Sequence, residues 1–494
     1  MLKIDGVQPI WEKSFIDETK TTADFFVCEP RKEMGEFFVA DKPWETTMHY
    51  INMIRDKDIF RMYYVTHGVL LTAEFNVDEN GNRKAQGAVY DTVVCYAESK
   101  DGLHWEKPAL GICEFNGTKD TNILFRTRDL TLPADQYDNF FVFIDDNPNC
   151  REGERYKAMV ERSGDWRQHL TGYVSDDGIH FQYKYKFDMK GTFDTLNTCF
   201  FDKNIGKYVA YIRDFHKDEK YKDIHGVRDV RRSESEDWIS WSVPERWDLK
   251  GSEEYPLYTN NVMQYYRNPN IYLAFPTRYV ERQEWTKNYD ELCGIESRRK
   301  RMEEEGETRA GLSITDCIFM ASRDGKAWDK YDEALFAPGP ETPYNWVYGD
   351  GYPAYFILET FSEERNRKEM SMFLSKSNPD IENGDYACLY RYTFRLDGFA
   401  CYRAPYKGAK VITKPFTFDG NELYINFSTS ARGYVIVKIE TEDGTSATTC
   451  ELFGDTERRR VIFENGKIAD FTGKQVTLTF EMRDAKLYSF EFSK

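Results

Sequence analysis

One short pattern recurs five times along this chain and constrains its fold more than any other feature. The copies read "SKDGLHW" from residue 99, "SDDGIHF" from 175, "SEDWISW" from 235, "SRDGKAW" from 322 and "RLDGFAC" from 395. A strand-like run precedes every copy, and the Asp, joined by Gly in four of the five copies, favours a tight turn. A strand and turn repeated at intervals of roughly 60 to 90 residues is typical of a repeat architecture.

Each repeat contains at least two further strand-like runs upstream of its turn. In the second repeat these are "NFFVFI" and "RYKAMVE", and in the third "LNTCFF" and "KYVAYIRD". The 33 tyrosines and 35 phenylalanines also favour strands over helical bundles. Five units of three or more antiparallel strands predict an all-β chain with a five-bladed β-propeller, because radial repetition protects the sheet edges. The units exceed WD40 blades of roughly 40 to 45 residues, so we expect substantial loops at one mouth of the channel.

The pattern changes at two places in the chain. Residues 280–311 are densely charged and helix-prone and interrupt the fourth unit, so we interpret them as a solvated helical insertion or as a lid on the channel mouth. After residue 404, short alternating strands with Gly and Asp turns predict a β-sandwich. The expected domains are a five-bladed propeller with an N-terminal extension over residues 1–404 and an accessory β-sandwich over residues 405–494.

Composition excludes several classes of partner. A formal net charge of −17 would repel a phosphate backbone, so we expect no nucleic acid. The sequence has no apolar run long enough for a signal peptide or a membrane span, and we expect a cytoplasmic protein without a membrane partner. The ten cysteines lack C-x-x-C pairs and are interpreted as mostly buried, reduced thiols. Because nucleotide, serine-hydrolase and zinc-peptidase motifs are missing, we expect no cofactor and no metal site. A cation in the central channel and a homo-oligomer both stay open.

Several segments resemble a known group of proteins. They include "DKPWE", "GTFDTLN", "LYTNNVMQYY" and "RLDGFACYRAPYKGA". Over about residues 40 to 494 the chain resembles a bacterial group of glycoside-hydrolase-like five-bladed propellers related to glycosyl hydrolase families 32 and 43. The resemblance implies a carbohydrate substrate. Families on this scaffold include hydrolases of several sugars and mannoside phosphorylases, so the substrate and the reaction stay open.

Acidic residues near the first strands of the blades are the catalytic candidates, because these strands line the funnel of a propeller. They are Glu45 in unit one, Asp145 in unit two and Asp194 in unit three. Cleavage of a glycosidic bond needs one protonated and one ionised carboxyl group, and acids crowded together provide both. The resemblance implies an Asp, an Asp and a Glu on blades one to three. Only Asp145 matches that order, so the acid and base roles stay open, as do turn-forming or solvated roles.

A second set of residues is predicted to bind the substrate. Its polar and charged members are Arg213, Asp214, Arg228, Asn260, Asn261, Arg278 and Asp350, and its aromatic members are Trp44, Tyr50, Tyr258, Trp346 and Tyr352. Arginine forks bind carboxylate or phosphate, and aromatic rings stack on sugars. If two of these arginines face the funnel, the sugar is anionic or phosphate is a co-substrate. The alternatives are salt bridges between blades and packing in the core.

Together these features predict an exo-acting glycoside hydrolase. It would cleave a terminal sugar from a small oligosaccharide or glycoside by carboxylate acid/base catalysis in the propeller funnel, and the sugar could carry an anionic group. Two alternatives stay open: a glycoside phosphorylase that uses inorganic phosphate, and a carbohydrate-binding propeller without catalysis. The identity, linkage and anomer of the sugar are left open by the residues.

Overall fold

A computed structural model describes the protein at residues 2–72, 75–77, 83–85, 89–126, 139–164, 167–219, 226–306, 308–376 and 386–493. Strands dominate this structure, and five sheets follow one another along the chain as the blades of a propeller. A sixth sheet of ten strands forms a C-terminal domain. The predicted all-β fold, a five-bladed propeller followed by a C-terminal β-sandwich, is confirmed, and the C-terminal strands form one connected sheet.

Each blade is an antiparallel sheet of four or five strands. Blade one contains His49–Asp56, Ile59–Thr72, Val89–Ser99 and Ile123–Arg126, and blade two contains Phe141–Ile144, Tyr156–Gly164, Arg167–Ser175 and Gln182–Lys186. Blade three contains Thr198–Asp202, Lys207–His216, Val227–Ser235 and Glu245–Arg246. Blade four contains Met263–Tyr265, Asn268–Ala274, Thr277–Val280, Ile314–Ser322 and Asp329–Phe336. Blade five contains Leu358–Ser362, Arg367–Ser375 and Cys388–Arg395, completed by Arg31–Lys32 and Phe38–Val39.

The C-terminal sheet encloses its own apolar core. Its strands are Leu2–Ile4, Gly6–Pro9, Asp24–Val27, Ala400–Ala404, Ala409–Ile412, Phe416–Phe418, Glu422–Thr441, Ser446–Thr448, Asp455–Arg460 and Val476–Ser493. Alternation along Glu422–Thr441 explains the inward face, since Val435, Val437 and Ile439 are buried and the residues between them are half-buried. A separate hairpin pairs Phe75–Val77 with Arg83–Ala85.

Side-chain amides and backbone groups join neighbouring blades where their first strands meet. The contacts are Asn52 Oδ1 with the N–H of Val142 at 2.7 Å, Asn139 Nδ2 with the carbonyl of Phe193 at 3.3 Å, Asn260 Nδ2 with the carbonyl of Leu196 at 3.4 Å, Asn261 Nδ2 with the carbonyl of Pro353 at 2.7 Å, and the N–H of Tyr355 with the carbonyl of Ile51 at 2.8 Å. Buried amide groups must be hydrogen-bonded, so these contacts fix the five first strands around one axis.

The repeated turns hold each blade against the preceding one. In blade two, Asp177 Oδ1 accepts the N–H groups of Ile179 and His180 at 2.9 and 2.8 Å. In blade four, the carbonyl of Gly325 accepts the Tyr211 hydroxyl of blade three at 2.9 Å. Gly325 has a φ of +67°, and a Cβ there would collide with that hydroxyl, which explains the glycine of the pattern. The repeat therefore encodes the contacts between blades.

Both ends of the chain contribute to the C-terminal sheet. Leu2–Ile4 pairs in parallel with Phe416–Phe418, and Asp24–Val27 pairs with Ala400–Ala404. The chain then returns to the propeller, where Arg31–Lys32 joins the last blade. The domain boundary after residue 404 stays a prediction, and the strand pairing adds that Leu2–Ile4, Gly6–Pro9 and Asp24–Val27 belong to the C-terminal sheet.

The charged insertion of blade four is helical. Three helices, Lys287–Glu291, Ile295–Glu305 and Arg309–Leu312, lie between the strands Thr277–Val280 and Ile314–Ser322. Two short 3-10 helices, Lys13–Phe15 and Ile468–Asp470, lie outside the blades. In the described part of the chain, none of the helices has the length and apolar character needed to cross a bilayer.

Candidate functional site

A cavity of about 360 Å³ lies where the first strands of four blades begin. Its lining comprises Thr47, Met48, His49, Tyr50 and Ile51 of blade one, Asp194 and Leu196 before blade three, Tyr258, Thr259 and Asn261 before blade four, and Tyr348, Gly349, Tyr352, Pro353, Ala354, Ser375, Lys376 and Ala387 of blade five. Nearly all of these residues precede or begin a first strand. The propeller therefore gathers segments that are distant in sequence into one axial site.

Asp194 presents a carboxylate to this cavity. It precedes the strand Thr198–Asp202, and its side chain is 45% exposed. Its Oδ2 lies 3.4 Å from an Nη of Arg213, a buried residue whose Nε donates to the carbonyl of Thr192 at 2.9 Å. Arg213 also lies against the Tyr258 ring, at 5.5 Å from its centroid. A charged partner held by the Thr192 carbonyl and the Tyr258 ring orients the carboxylate towards the open space.

Tyrosine rings form much of the cavity wall. The ring of Tyr258 lies 5.8 Å from that of Tyr348 and 5.8 Å from that of Tyr352, both edge-on. Burial raises the pKa of Tyr258 and of Tyr352 well above the ordinary value, and it raises that of Tyr348 too. These hydroxyl groups therefore stay protonated at neutral pH. The wall offers flat apolar faces together with hydrogen-bond donors.

Two lining residues adopt the left-handed backbone conformation. Tyr50 has a φ of 47° and Asn261 a φ of 43°, and Trp346, two residues before Tyr348, has a φ of 59°. Bulky residues rarely occupy this region, and such residues concentrate at functional sites. The strained positions mark this end of the axis.

The cavity also holds two nitrogen groups that can carry a positive charge. His49 begins the first strand of blade one, and its Nε2 lies 3.0 Å from the Thr47 hydroxyl. Lys376 follows the second strand of blade five, and its Nζ lies 5.7 Å from the ring centroid of Tyr386. Among the described lining residues, Asp194 is the one carboxylate.

The structure brings five of the sequence-predicted residues into the lining, and these are Tyr50, Asp194, Tyr258, Asn261 and Tyr352. Two others lie directly behind it. Arg213 pairs with Asp194, and Asn260 accepts the Thr198 hydroxyl at 2.8 Å. These two residues support the site without lining it.

Asp145 does not join Asp194. Its Oδ2 lies 2.8 Å from Lys157 Nζ and accepts the Tyr208 hydroxyl at 2.7 Å, and its side chain is fully buried. The reason is its place in the blade. Asp145 follows the strand Phe141–Ile144, whereas the cavity collects residues that precede first strands. Asp145 therefore links blades two and three, and its predicted catalytic role has no support from this geometry.

Glu45 and Trp44 are also placed in the core. Glu45 Oε2 lies 2.6 Å from Lys107 Nζ, and its other oxygen accepts the Tyr64 hydroxyl. Trp44 is buried and donates its Nε1–H to Asn122 at 2.9 Å. Glu45 precedes a first strand as predicted, but it turns into an ion pair with a lysine 62 residues away. Neither residue reaches the cavity.

The other predicted substrate-binding residues have partners outside the lining. Asp214 pairs with Arg231 at 2.9 Å, Arg228 lies 4.5 Å from the ring centroid of Tyr279, Arg278 pairs with Asp316 at 2.6 Å, Trp346 donates to the carbonyl of Gly339 at 2.9 Å, and Asp350 accepts the N–H of Val347 at 2.9 Å. Asp350 and Trp346 shape the loop that carries Tyr348. The ion pairs of Asp214 and Arg278 join adjacent strands of one blade and not, as the alternative expected, two neighbouring blades.

Three lining residues, His49, Tyr348 and Lys376, were not predicted from the sequence. His49 and Tyr348 follow the same positional rule as the predicted lining residues, because each begins or precedes a first strand. Lys376 directly follows the strand Arg367–Ser375, whose partner runs antiparallel to it, so its end meets the start of the first strand. In the described residues no cluster of three or more His, Cys, Asp or Glu side chains is arranged to hold a metal ion.

Comparison with known proteins gives matches only at the level of structure. No family model matches the chain, and no curated protein does. A glycosyl hydrolase from Bacteroides ovatus is 12% identical, with a TM-score of 0.41 over 74% of this chain and 94% of that one. A fructofuranosidase from Schwanniomyces occidentalis, complexed with fructosylnystose, is 9% identical, with a TM-score of 0.39 over 94% and 99% of the two chains.

A structure from glycoside hydrolase family 130, a family of mannoside phosphorylases that also contains hydrolases, is 12% identical, with a TM-score of 0.38 over 78% of this chain and 96% of that one. The similar structures thus include glycoside hydrolases, the class that the sequence motifs resemble.

Proposed function

We propose that this chain is a carbohydrate-active enzyme that removes a terminal sugar from a small oligosaccharide or glycoside. The observation that carries the proposal is the Asp194 carboxylate, exposed in a tyrosine-lined axial cavity and fixed by the buried Arg213. Small-molecule sites measure roughly 300 to 1,000 Å³. A cavity of about 360 Å³ is at the small end of that range, which suits one or two sugar rings and an exo mode of action.

Some cavity residues would bind the sugar, and others would carry out the reaction. Tyrosine faces pack against the apolar face of a sugar ring, and their protonated hydroxyls donate to its oxygens. Asp194, as the charged partner of Arg213, activates water or attacks the anomeric carbon. His49, across the cavity on blade one, donates the proton that the leaving oxygen needs.

Phosphorolysis is the second candidate, and a specific observation favours it. Glycosidases of the common type use two carboxyl groups, whereas the described lining contains Asp194 alone. Inorganic phosphate would bring its own nucleophilic oxygen, and Lys376 and His49 provide positive charge in the same cavity. The sugar would then leave as a sugar 1-phosphate.

The experiment is a screen of aryl glycosides of neutral and acidic sugars, followed by variants on the best substrate. We expect Asp194→Asn to lower turnover by about a thousandfold. Asp188→Asn is the matched control, since Asp188 is an exposed acid of the same segment, and it should retain full turnover. Full activity of Asp194→Asn would show that the carboxylate is not part of the chemistry.

Two further measurements separate the remaining alternatives. A proton donor is needed least when the leaving group is a weak base, so His49→Asn should retain turnover of nitrophenyl glycosides and lose that of natural glycosides. Dependence of turnover on added phosphate, with sugar 1-phosphate as the product, would establish phosphorolysis. Calorimetric sugar binding without any product would indicate a binding propeller and contradict the enzyme proposal.

A further inference from the structure

A threonine hydroxyl contacts the histidine of the axial cavity. Thr47 and His49 both line the cavity, and Thr47 Oγ1 lies 3.0 Å from His49 Nε2. Met48, between them, is buried in the apolar core that blades one and five share. Side chains two residues apart in an extended segment share a face, so Thr47 and His49 lie together on the cavity side while Met48 packs on the other.

The backbone on both sides of this contact is held by the second strand of blade one. The N–H of Thr47 donates to the Thr66 hydroxyl at 3.4 Å, and that hydroxyl donates to the carbonyl of Trp44 at 3.4 Å. Thr66 is buried within the strand Ile59–Thr72, and His49 lies opposite Val65 of the same strand. A regular sheet therefore presents both side chains, and such elements position functional groups more accurately than loops do.

A backbone irregularity follows His49 directly. The pairing of the first strand with the second shifts register between His49 and Asn52, and Tyr50, within this shift, has a φ of 47°. Bulges of this kind re-aim side chains and are common next to active sites. The rings of His49 and Tyr50 both reach the cavity wall, with centroids 6.3 Å apart. The strand is thus distorted at the point where it presents His49.

A hydroxyl beside an imidazole can fix the orientation of the ring. The hydroxyl both donates and accepts hydrogen bonds, so it can bond to a ring nitrogen in either protonation state of the histidine. Without such a partner the ring turns about two side-chain bonds, whereas a proton donor must stay within hydrogen-bond reach of the leaving oxygen. Loss of the contact would keep the histidine in the cavity but direct it correctly for less of the time.

We propose that Thr47 is the positioning residue that holds His49 in the orientation from which it protonates the leaving oxygen. This role rests on the proposed function, since Thr47 acts only through His49. The Thr47 hydroxyl is assigned no bond to the anomeric carbon and no part in holding the sugar. Its removal should therefore slow the steps that need a proton donor and leave binding of the sugar unchanged.

The kinetic test uses two substitutions of Thr47 in the full chain. Thr47→Val keeps the shape of the side chain and removes the hydroxyl, and it should lower kcat about tenfold on a glycoside with an alkyl leaving group, with KM within twofold. Turnover of a nitrophenyl glycoside, whose leaving group needs little protonation, should stay within twofold. Thr47→Ser keeps the hydroxyl and should retain at least half of the parent kcat. Thr46→Val, the same substitution one residue earlier, is the matched control and should retain full turnover.

Three results would contradict the positioning role. Equal losses on both leaving groups would indicate a general disturbance of the site, and equal losses in Thr47→Ser and Thr47→Val would show that the hydroxyl is irrelevant. In a chain that already carries His49→Asn, Thr47→Val should cause no further loss on the alkyl glycoside. A further loss would mean that Thr47 acts independently of His49.

A measurement without turnover distinguishes failure of this role from failure of the proposed function. In the full chain labelled with nitrogen-15 in its histidine rings, His49→Asn identifies the magnetic resonance signal of His49. Thr47→Val should shift that signal and Thr46→Val should not; an unshifted signal in Thr47→Val would refute the contact, whatever the turnover. If instead the parent chain turns over no glycoside, or Asp194→Asn keeps full activity, the proposed function fails and the role of Thr47 in protonation falls with it.

Discussion

Replacing Asp145 by asparagine tests whether this acid supports the fold or the chemistry. The side chains of Asp145 and Lys157 are 0% and 3% exposed, and their charged atoms are 2.8 Å apart. Asparagine keeps the shape of the side chain but removes its charge. Lys157 would then retain one acidic neighbour, Glu154, at 3.3 Å.

The size of the effect follows from these contacts. Breaking a buried ion pair by removing one partner costs roughly 3 to 5 kcal/mol, because the other charge is left uncompensated. Glu154 offsets part of this cost, and the new amide oxygen can still accept the Tyr208 hydroxyl, so we expect about 3 kcal/mol. At about 2 °C per kcal/mol for a large domain, the melting temperature should fall by about 6 °C.

The assay pairs thermal unfolding, followed by circular dichroism, with turnover measured well below the transition. Asp145→Asn should lower the melting temperature and leave turnover per folded molecule within about twofold of the parent chain. Asp194→Asn is the contrast, with lost turnover and a smaller fall in melting temperature, since its side chain is 45% exposed and its contact with the buried Arg213 is longer, at 3.4 Å. An Asp145→Asn protein that melts normally but has no activity would refute this structural interpretation.

Three further substitutions test the turns, the contacts between blades and the helical insertion. Although partial burial opposes it, hydrogen bonds from the ring and N–H of His180 hold the pKa of Asp177 below its ordinary value. Asp177→Ala should therefore lower the free energy of unfolding by about 1 kcal/mol at neutral pH. Denaturant titrations should show this difference in stability vanishing as the pH falls below about 4 and Asp177 becomes protonated. Tyr211→Phe removes the 2.9 Å bond to Gly325 and should cost about 1 kcal/mol in urea unfolding; no loss would mean that this contact is neutral. Arg298→Met removes a buried guanidinium that donates to the carbonyls of Gly311 and Trp346, and so it should loosen the loop bearing Tyr348. KM should rise about tenfold with kcat less affected. Unchanged kinetics would contradict a positioning role for Arg298.

The architecture can be predicted from the sequence because the patterns that specify its turns and strands lie within a few residues of one another. Four of the five turns use an aspartate whose partners lie two and three residues further on, and each strand shows its alternation within about six residues. Five copies of such a unit leave few folds to choose from. The pairing of Leu2–Ile4 with Phe416–Phe418 is different, because it joins the two ends of the chain and no local pattern of the first strand specifies its partner.

The candidate site can be predicted only in part from the sequence, because the direction of each first strand decides which neighbouring residues face the cavity. A strand has two ends, and only the end where first strands begin faces the cavity, so Asp194 before its strand lies in the site while Asp145 after its strand does not. Position alone is still insufficient, as Glu45 shows, because a lysine far along the chain neutralises it in the core. A carboxylate becomes available for chemistry only when its cationic partner leaves part of it in open space. Arg213 does this for Asp194, whereas Lys157 and Lys107 enclose the other two acids completely.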